Sequence, residues 1–175
     1  TMATNMLDRK SYVTGGIGSR HEGEAFGLDY ELPNNRAYAE SCAGIGAVMW
    51  LWRMLMLEAR DDSTLGDAIE RIIYNAVLPG VSLSGDEYFY YNPLRDEDGT
   101  IRRQAWFDCA CCPPNIARFL AQLPGYFATV TSNRAGESDA RRDHIWIHQF
   151  ADADLTVPLL GGGEVDLSMT TRYPW

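Results

Sequence analysis

Between Ala37 and Arg60 the apolar residues Ile45, Val48, Met49, Leu51, Trp52, Leu55 and Met56 return at three- and four-residue steps, which predicts a long amphipathic helix. Asp61-Asp62-Ser63 ends that pattern and offers caps for a second helix, Leu65 to Leu78, with Leu65, Ala68, Ile69, Ile72, Ile73 and Ala76 as its buried face. Two antiparallel helices on a short connection are the simplest arrangement. Upstream there is no periodicity: Gly15-Gly16, Gly18, Gly23 and Gly27 punctuate the chain and Pro33-Asn34-Asn35 closes the stretch with a turn, so residues 1–35 are expected as loop. Downstream, Val81 to Leu83 and Glu87 to Asn92 flank Ser84-Gly85-Asp86 as a hairpin signal. A third helix is expected to begin at Pro113-Pro114 and to run through Ile116, Phe119, Leu120 and Leu123, because proline is tolerated in a first helical turn. After about Thr131 the pattern changes to short strand-like runs, His144 to Phe150, Leu155 to Leu160 and Val165 to Tyr173, separated by Asp-rich and Gly-Gly-Gly turns. A helical region is followed by the start of an all-β one.

The composition narrows the function. Hydrophobic residues make up 46% of the 175, enough for a core. The net charge is -9 and the fifteen basic residues form no run, so nucleic acid is not an expected partner. The longest apolar stretch, Ala43 to Leu57, is interrupted by Arg53 and is too short to span a membrane. No charged start with an apolar stretch opens the chain, and free thiols suit a reducing compartment, so a cytoplasmic location is expected. Both ends read as interior to a larger polypeptide, since three helices and three strands close neither a helical core nor a sandwich.

The candidate chemistry lies in the cysteines. Three of the four fall in FDCACCPPN (Phe107 to Asn115), and the fourth, Cys42, follows Glu40 by two residues. Three soft sulfurs with one oxygen donor suit Zn²⁺. A helix start at the prolines would also place the thiols where the macrodipole lowers their pKa. Other readings of the same residues are buried core cysteines, a Cys109-x-x-Cys112 dithiol redox motif and a purely structural zinc site. Vicinal thiols followed by two prolines have no use in core packing, the βαβ context of a redox motif is missing, and there is no second Cys-x₂₋₄-Cys knuckle.

The string GGIGSRHEGEAFGLDYELPNNRAYAESCAG (Gly15 to Gly44), followed by FDCACCPPN, resembles glycoside hydrolase family 127, the bacterial β-L-arabinofuranosidases. The resemblance implies an α+β multidomain fragment: the C-terminal part of an (α/α)₆ barrel over residues 1–130, then the first strands of a β-sandwich over 131–175. It implies zinc held by Glu40, Cys42, Cys111 and Cys112, with Cys111 as nucleophile. It places the general acid/base at Glu24, in the Gly-Glu-Ala-Phe segment, and a sugar-contacting tyrosine at Tyr90. The implied substrate is an arabinose-containing oligosaccharide or glycoconjugate, and the full-length protein is a possible homodimer. The nearest alternatives are a hydrolase for another sugar and a non-catalytic zinc-stabilised module binding carbohydrate or protein. Family members draw other pocket residues from the barrel's N-terminal half, which this sequence lacks, so little hydrolase activity is expected of the 175 residues alone.

Around the motif, Glu22 is expected as a solvated surface glutamate and His21 as a loop residue. Cys109 is expected as core packing beside the site, His144 and His148 as structural, and Trp50 and Trp52 as buried on the long helix.

Overall fold

The computed structural model describes residues 1–57, 63–132 and 142–173. The chain divides into two units, Thr1–Leu120 and Ala121–Trp175.

Unit 1 opens on a helix, α1 (Met2–Arg9), where the sequence was expected to be loop. Thr1 caps it, its hydroxyl accepting from the Thr4 amide at 3.2 Å, and Ala3 and Met6 bury one side. Eight residues are too few for the periodicity to stand out. The glycine-rich stretch that follows is loop. Gly15 has φ +86°, and a Cβ there would lie 2.8 Å from Ile72 Cγ1, so only glycine lets this loop lie against the second long helix.

The main helix, α2 (Ser41–Leu57), buries Ile45, Ala47, Val48, Leu51 and Leu55. It begins four residues later than the periodicity suggests. Ala39 has φ +39°, outside helical geometry, and residues 38–41 are bound instead to residues 89–92. The Ser41 amide donates to Tyr90 O at 2.9 Å and the Asn92 amide to Tyr38 O at 3.0 Å. Ala37, Tyr38 and Ala39 are buried, which is why apolarity alone read them as helix. The expected end of this helix and the Asp61-Asp62 cap lie outside the described residues.

Helix α3 (Ser63–Ile72) buries Leu65, Ala68, Ile69 and Ile72 as expected, then widens into a π turn, Ile73–Val77, and a 3₁₀ turn, Leu78–Gly80. Gly44 on α2 faces this segment, and a Cβ there would meet Val77 Cγ2 at 3.5 Å and Ile72 Cγ2 at 3.8 Å, ordinary contact distances that an alanine would also make. Of the expected hairpin, the turn forms, with the Ser82 amide donating to Glu87 O at 2.8 Å, but the ladder shrinks to one bridge, Val81 to Tyr88. Its second arm is taken up by Gln104, opposite Tyr88, and by residues 38–41. Helix α4 (Cys112–Gln122) starts one residue before the prolines and buries Cys112, Pro113, Ile116 and Phe119.

Among its described residues, unit 2 has four strands in two antiparallel pairs. The first pair is β1 (Ala128–Ser132) with β2 (Asp143–Ile147), the second β3 (Ala153–Pro158) with β4 (Glu164–Met169). β1 was not expected, since its two apolar positions, Ala128 and Val130, are too few to alternate visibly. Among the described residues no helix is long and apolar enough to cross a membrane.

The loop that carries Glu24 is pinned by ion pairs. Arg20 grips Glu31 through Nε and Nη2, both at 2.7 Å, and the Leu28 amide adds a bond at 2.9 Å. The Arg20 guanidinium holds the Glu31 carboxyl down at about 2, and Arg9 does the same for Asp29. Carboxyl groups depressed in the folded state stabilise it fully above their ordinary values near 4, and that contribution is lost as pH falls towards 2. Amide exchange of residues 20–31 is therefore expected to accelerate between about pH 4 and pH 2 relative to the α2 core. Glu31→Gln should already show the faster exchange at neutral pH; an unchanged profile in that variant would show that the ion pair does not hold the loop.

Candidate active site

Four side chains from two distant stretches of sequence converge in unit 1. One oxygen of Glu40 and the sulfurs of Cys42, Cys111 and Cys112 all lie within 4.8 Å of one another. Glu40 Oε1 is 3.5 Å from Cys111 Sγ and 3.4 Å from Cys112 Sγ. Cys112 Sγ is 3.5 Å from Cys42 Sγ and 3.6 Å from Cys111 Sγ.

Helix geometry places them. Glu40 O accepts from the Gly44 amide at 3.1 Å and Cys111 O from the Asn115 amide at 3.1 Å, so each caps a helix with its backbone. Cys42 and Cys112 stand in the first turns of α2 and α4. Two helix N-termini thus meet, each with free N–H groups and a partial positive charge that favours anionic side chains. Pro113 and Pro114 cost nothing here, because first-turn amides have no partner within the helix.

The cluster is positioned to bind a cation. Cys112 is fully buried at 0% exposure, and one carboxylate with three thiolates would place four negative charges together. Protons must otherwise remain. Interaction with the Cys42 sulfur, then burial, pushes the Cys112 thiol well up, and burial raises Cys111 to about 11. Cys42 alone is lowered, to about 7, chiefly by its hydrogen bond with Cys112 and also by Asn115, whose amide is oriented by Arg118 Nη2 on Oδ1 at 2.6 Å. A tetrahedral ion with donors at about 2.0–2.3 Å has edges of roughly 3.3–3.8 Å, and four of the six donor pairs, at 3.4–3.6 Å, fall in that range. Donor set and spacing fit a metal ion.

Beyond the cluster, Tyr90 places its hydroxyl 3.1 Å from Cys111 Sγ, and its ring meets Phe107 edge-on at 5.4 Å. The contact with Cys111 pushes the phenol far above its ordinary range, so it stays protonated. Glu24 is outside the donor cluster. It sits on a 3₁₀ turn, Glu22–Glu24, with φ +50°, and its Oε1 accepts from Tyr38 Oη at 2.7 Å. The Tyr38 ring lies 6.3 Å from that of Tyr90, so a line of contacts runs Glu24, Tyr38, Tyr90, Cys111.

Two neighbours carry roles that the sequence did not signal. Asn92 Nδ2 donates to Ala39 O at 2.9 Å and to Ser41 Oγ at 3.1 Å, bracketing Glu40 through the carbonyl of the residue before it and the hydroxyl of the residue after it. Tyr38 is the other. Tyr38 lies within the Gly15 to Gly44 string but has no role signalled there, and only the pairing of residues 38–41 with 89–92 brings the two residues in. Cys109 is exposed and lies outside the cluster, so it is not core packing: it stands on the loop before α4, where its neighbours Trp106 and Asp108 are exposed as well. His21 sets its ring edge-on to Tyr38 at 4.8 Å and to Tyr91 at 5.3 Å, while Glu22 is exposed as expected. Trp50 and Trp52 are half-buried.

Comparison with known proteins gives the family. The chain is 39% identical over 135 residues to the non-reducing end β-L-arabinofuranosidase of Bifidobacterium longum subsp. longum, covering 71% of this chain and 20% of that protein. Among solved structures it is similar to a GH127 β-arabinofuranosidase at 38% identity and a TM-score of 0.84, over 98% of this chain and 25% of that one. It is also similar to a GH127 β-L-arabinofuranosidase from Geobacillus stearothermophilus T6 at 37% identity and a TM-score of 0.78, over 98% and 27%. The chain thus spans between a fifth and a third of these relatives' lengths. Residues 1–125 match the family of the β-L-arabinofuranosidase GH127 catalytic domain, and with the Glu40, Cys42, Cys111 and Cys112 cluster inside that match the chain belongs to glycoside hydrolase family 127.

Proposed function

We propose that this chain supplies the nucleophile, the metal ligands and the acid/base of a retaining glycoside hydrolase that releases L-arabinose from β-L-arabinofuranosides. The observation that carries the reading is the convergence of Glu40, Cys42, Cys111 and Cys112 on two helix N-termini, with Tyr90 and Tyr38 leading from Cys111 to Glu24. In this reading residues 1–130 are the C-terminal part of an (α/α)₆ barrel and residues 131–175 the beginning of a β-sandwich.

Retention requires two displacements at the anomeric carbon. The Cys111 sulfur attacks it while Glu24 gives its proton to the departing glycosidic oxygen, leaving the sugar bonded to sulfur. Glu24, now a carboxylate, takes a proton from a water molecule, whose oxygen displaces Cys111 and restores the starting configuration. The Tyr90 hydroxyl, 3.1 Å from Cys111 Sγ, donates to the sulfur as charge returns to it. Zinc, held by Glu40, Cys42, Cys111 and Cys112, would keep the thiols ionised at neutral pH and favour sulfur as a leaving group.

The test is to give an aryl β-L-arabinofuranoside to a polypeptide of the relatives' length that contains this chain, and to follow the first product by proton NMR. Release of β-L-arabinose before mutarotation is the expected result. First appearance of the α anomer would exclude a covalent cysteine route, and hydrolysis of other furanosides alone would exclude the sugar.

A further inference from the structure

We propose that Tyr38 is a positioning residue for the acid/base carboxyl: its hydroxyl holds Glu24 Oε1, leaving Oε2 to carry the proton to the glycosidic oxygen. The proposal rests on the reading of Glu24 given above. Glu24 is exposed, on a tight turn with a left-handed backbone, and a glutamate with three free torsions sweeps its carboxyl over several ångströms. An acid that must deliver a proton within hydrogen-bond reach of one oxygen cannot be left to sweep.

Tyr38 has the opposite character. Its ring is 8% exposed and stands among others: the edge of His21 at 4.8 Å, Tyr91 stacked at 6.4 Å and Tyr90 tilted at 6.3 Å. Its carbonyl is fixed by the Asn92 amide at 3.0 Å. With the backbone and both ring torsions set, its O–H lies in one direction, and Glu24 Oε1 is there at 2.7 Å. Tyr38 also stands two residues before Glu40, whose carboxyl contacts Cys111 at 3.5 Å. One short stretch of backbone therefore fixes both the acid and the group beside the nucleophile, and the distance between them follows from it.

The test uses the full-length, zinc-loaded protein and aryl β-L-arabinofuranosides whose leaving groups range from 4-nitrophenol to phenol. Tyr38→Phe keeps the ring and removes only the hydroxyl. Its kcat/KM is expected to fall about tenfold or more for the phenyl substrate and less than about threefold for the 4-nitrophenyl one, which needs little protonation. Zinc content and the unfolding temperature should match the parent. In a Glu24→Gln background the same change should add nothing further, because there is no acid left to position. A loss in Tyr38→Phe that is equal across leaving groups, or that multiplies fully with that of Glu24→Gln, would overturn the proposal and leave Tyr38 a packing residue. If Glu24→Gln itself shows no dependence on the leaving group, Glu24 is not the acid, and the proposal falls with that assignment.

Discussion

Cys111→Ala is expected to lower turnover of the full-length enzyme by at least about three orders of magnitude, the scale on which removal of a catalytic nucleophile acts. Cys109→Ser should retain most of the activity. The two cysteines are two residues apart and differ in placement. Cys111 Sγ lies against Glu40 Oε1, Cys112 Sγ and Tyr90 Oη, whereas Cys109 is exposed and outside the donor cluster. The comparison must be made at equal metal content, since the proposal gives Cys111 two roles, nucleophile and metal ligand. With metal retained, the parent is expected to show a sugar adduct by mass spectrometry at short times, and Cys111→Ala should fail to form it. Equal losses from both variants in metal-replete samples would show that the cysteines are structural and that the sulfur does not attack.

Removal of the metal should have an effect of the same order. Without a cation the Cys111 thiol, raised to about 11 by burial, keeps its proton at pH 7. Treatment with a strong chelator is expected to reduce activity by at least about a thousandfold and to lower the unfolding temperature, because the ions that bind a folded site stabilise the fold. Zinc should restore both. Magnesium should restore neither, being a hard cation poorly matched to three sulfurs. Elemental analysis should give one metal ion per chain, and Cys112→Ser, at the most buried of the ligands, should reproduce the chelated state. Metal-free protein with unchanged activity and stability would refute the metal assignment.

How much was legible in the sequence depended on the range of the interaction. The buried faces of α2 and α3, through Ile45, Val48, Leu51 and Leu55 and through Leu65, Ala68, Ile69 and Ile72, could be read because helical periodicity is local. The start of α4 within a residue of Pro113 was legible for the same reason. The N-terminal boundary of α2 was not. Buried Ala37, Tyr38 and Ala39 looked like helix, and only the hydrogen bonds to Tyr90 and Asn92 show that they are an extended stretch with one left-handed residue. α1 and β1 escaped because elements of eight and five residues carry too few apolar positions to establish a period.

The sequence by itself determined which residue types were available for the chemistry: three thiols, a carboxylate two residues from one of them, and prolines that permit a helix to start on the pair Cys111-Cys112. It did not bring them together. Cys42 and Cys112 are 70 residues apart, and their sulfurs meet at 3.5 Å only because the N-termini of α2 and α4 are brought to one place. The line from Glu24 through Tyr38 and Tyr90 to Cys111, and the clasp of Asn92 around Glu40, were decided at the same level. Motif spacing reports local backbone geometry, whereas contacts across such separations exist only once packing has closed the intervening loops, so the tertiary structure alone assigns Tyr38 and Asn92 a place beside the chemistry.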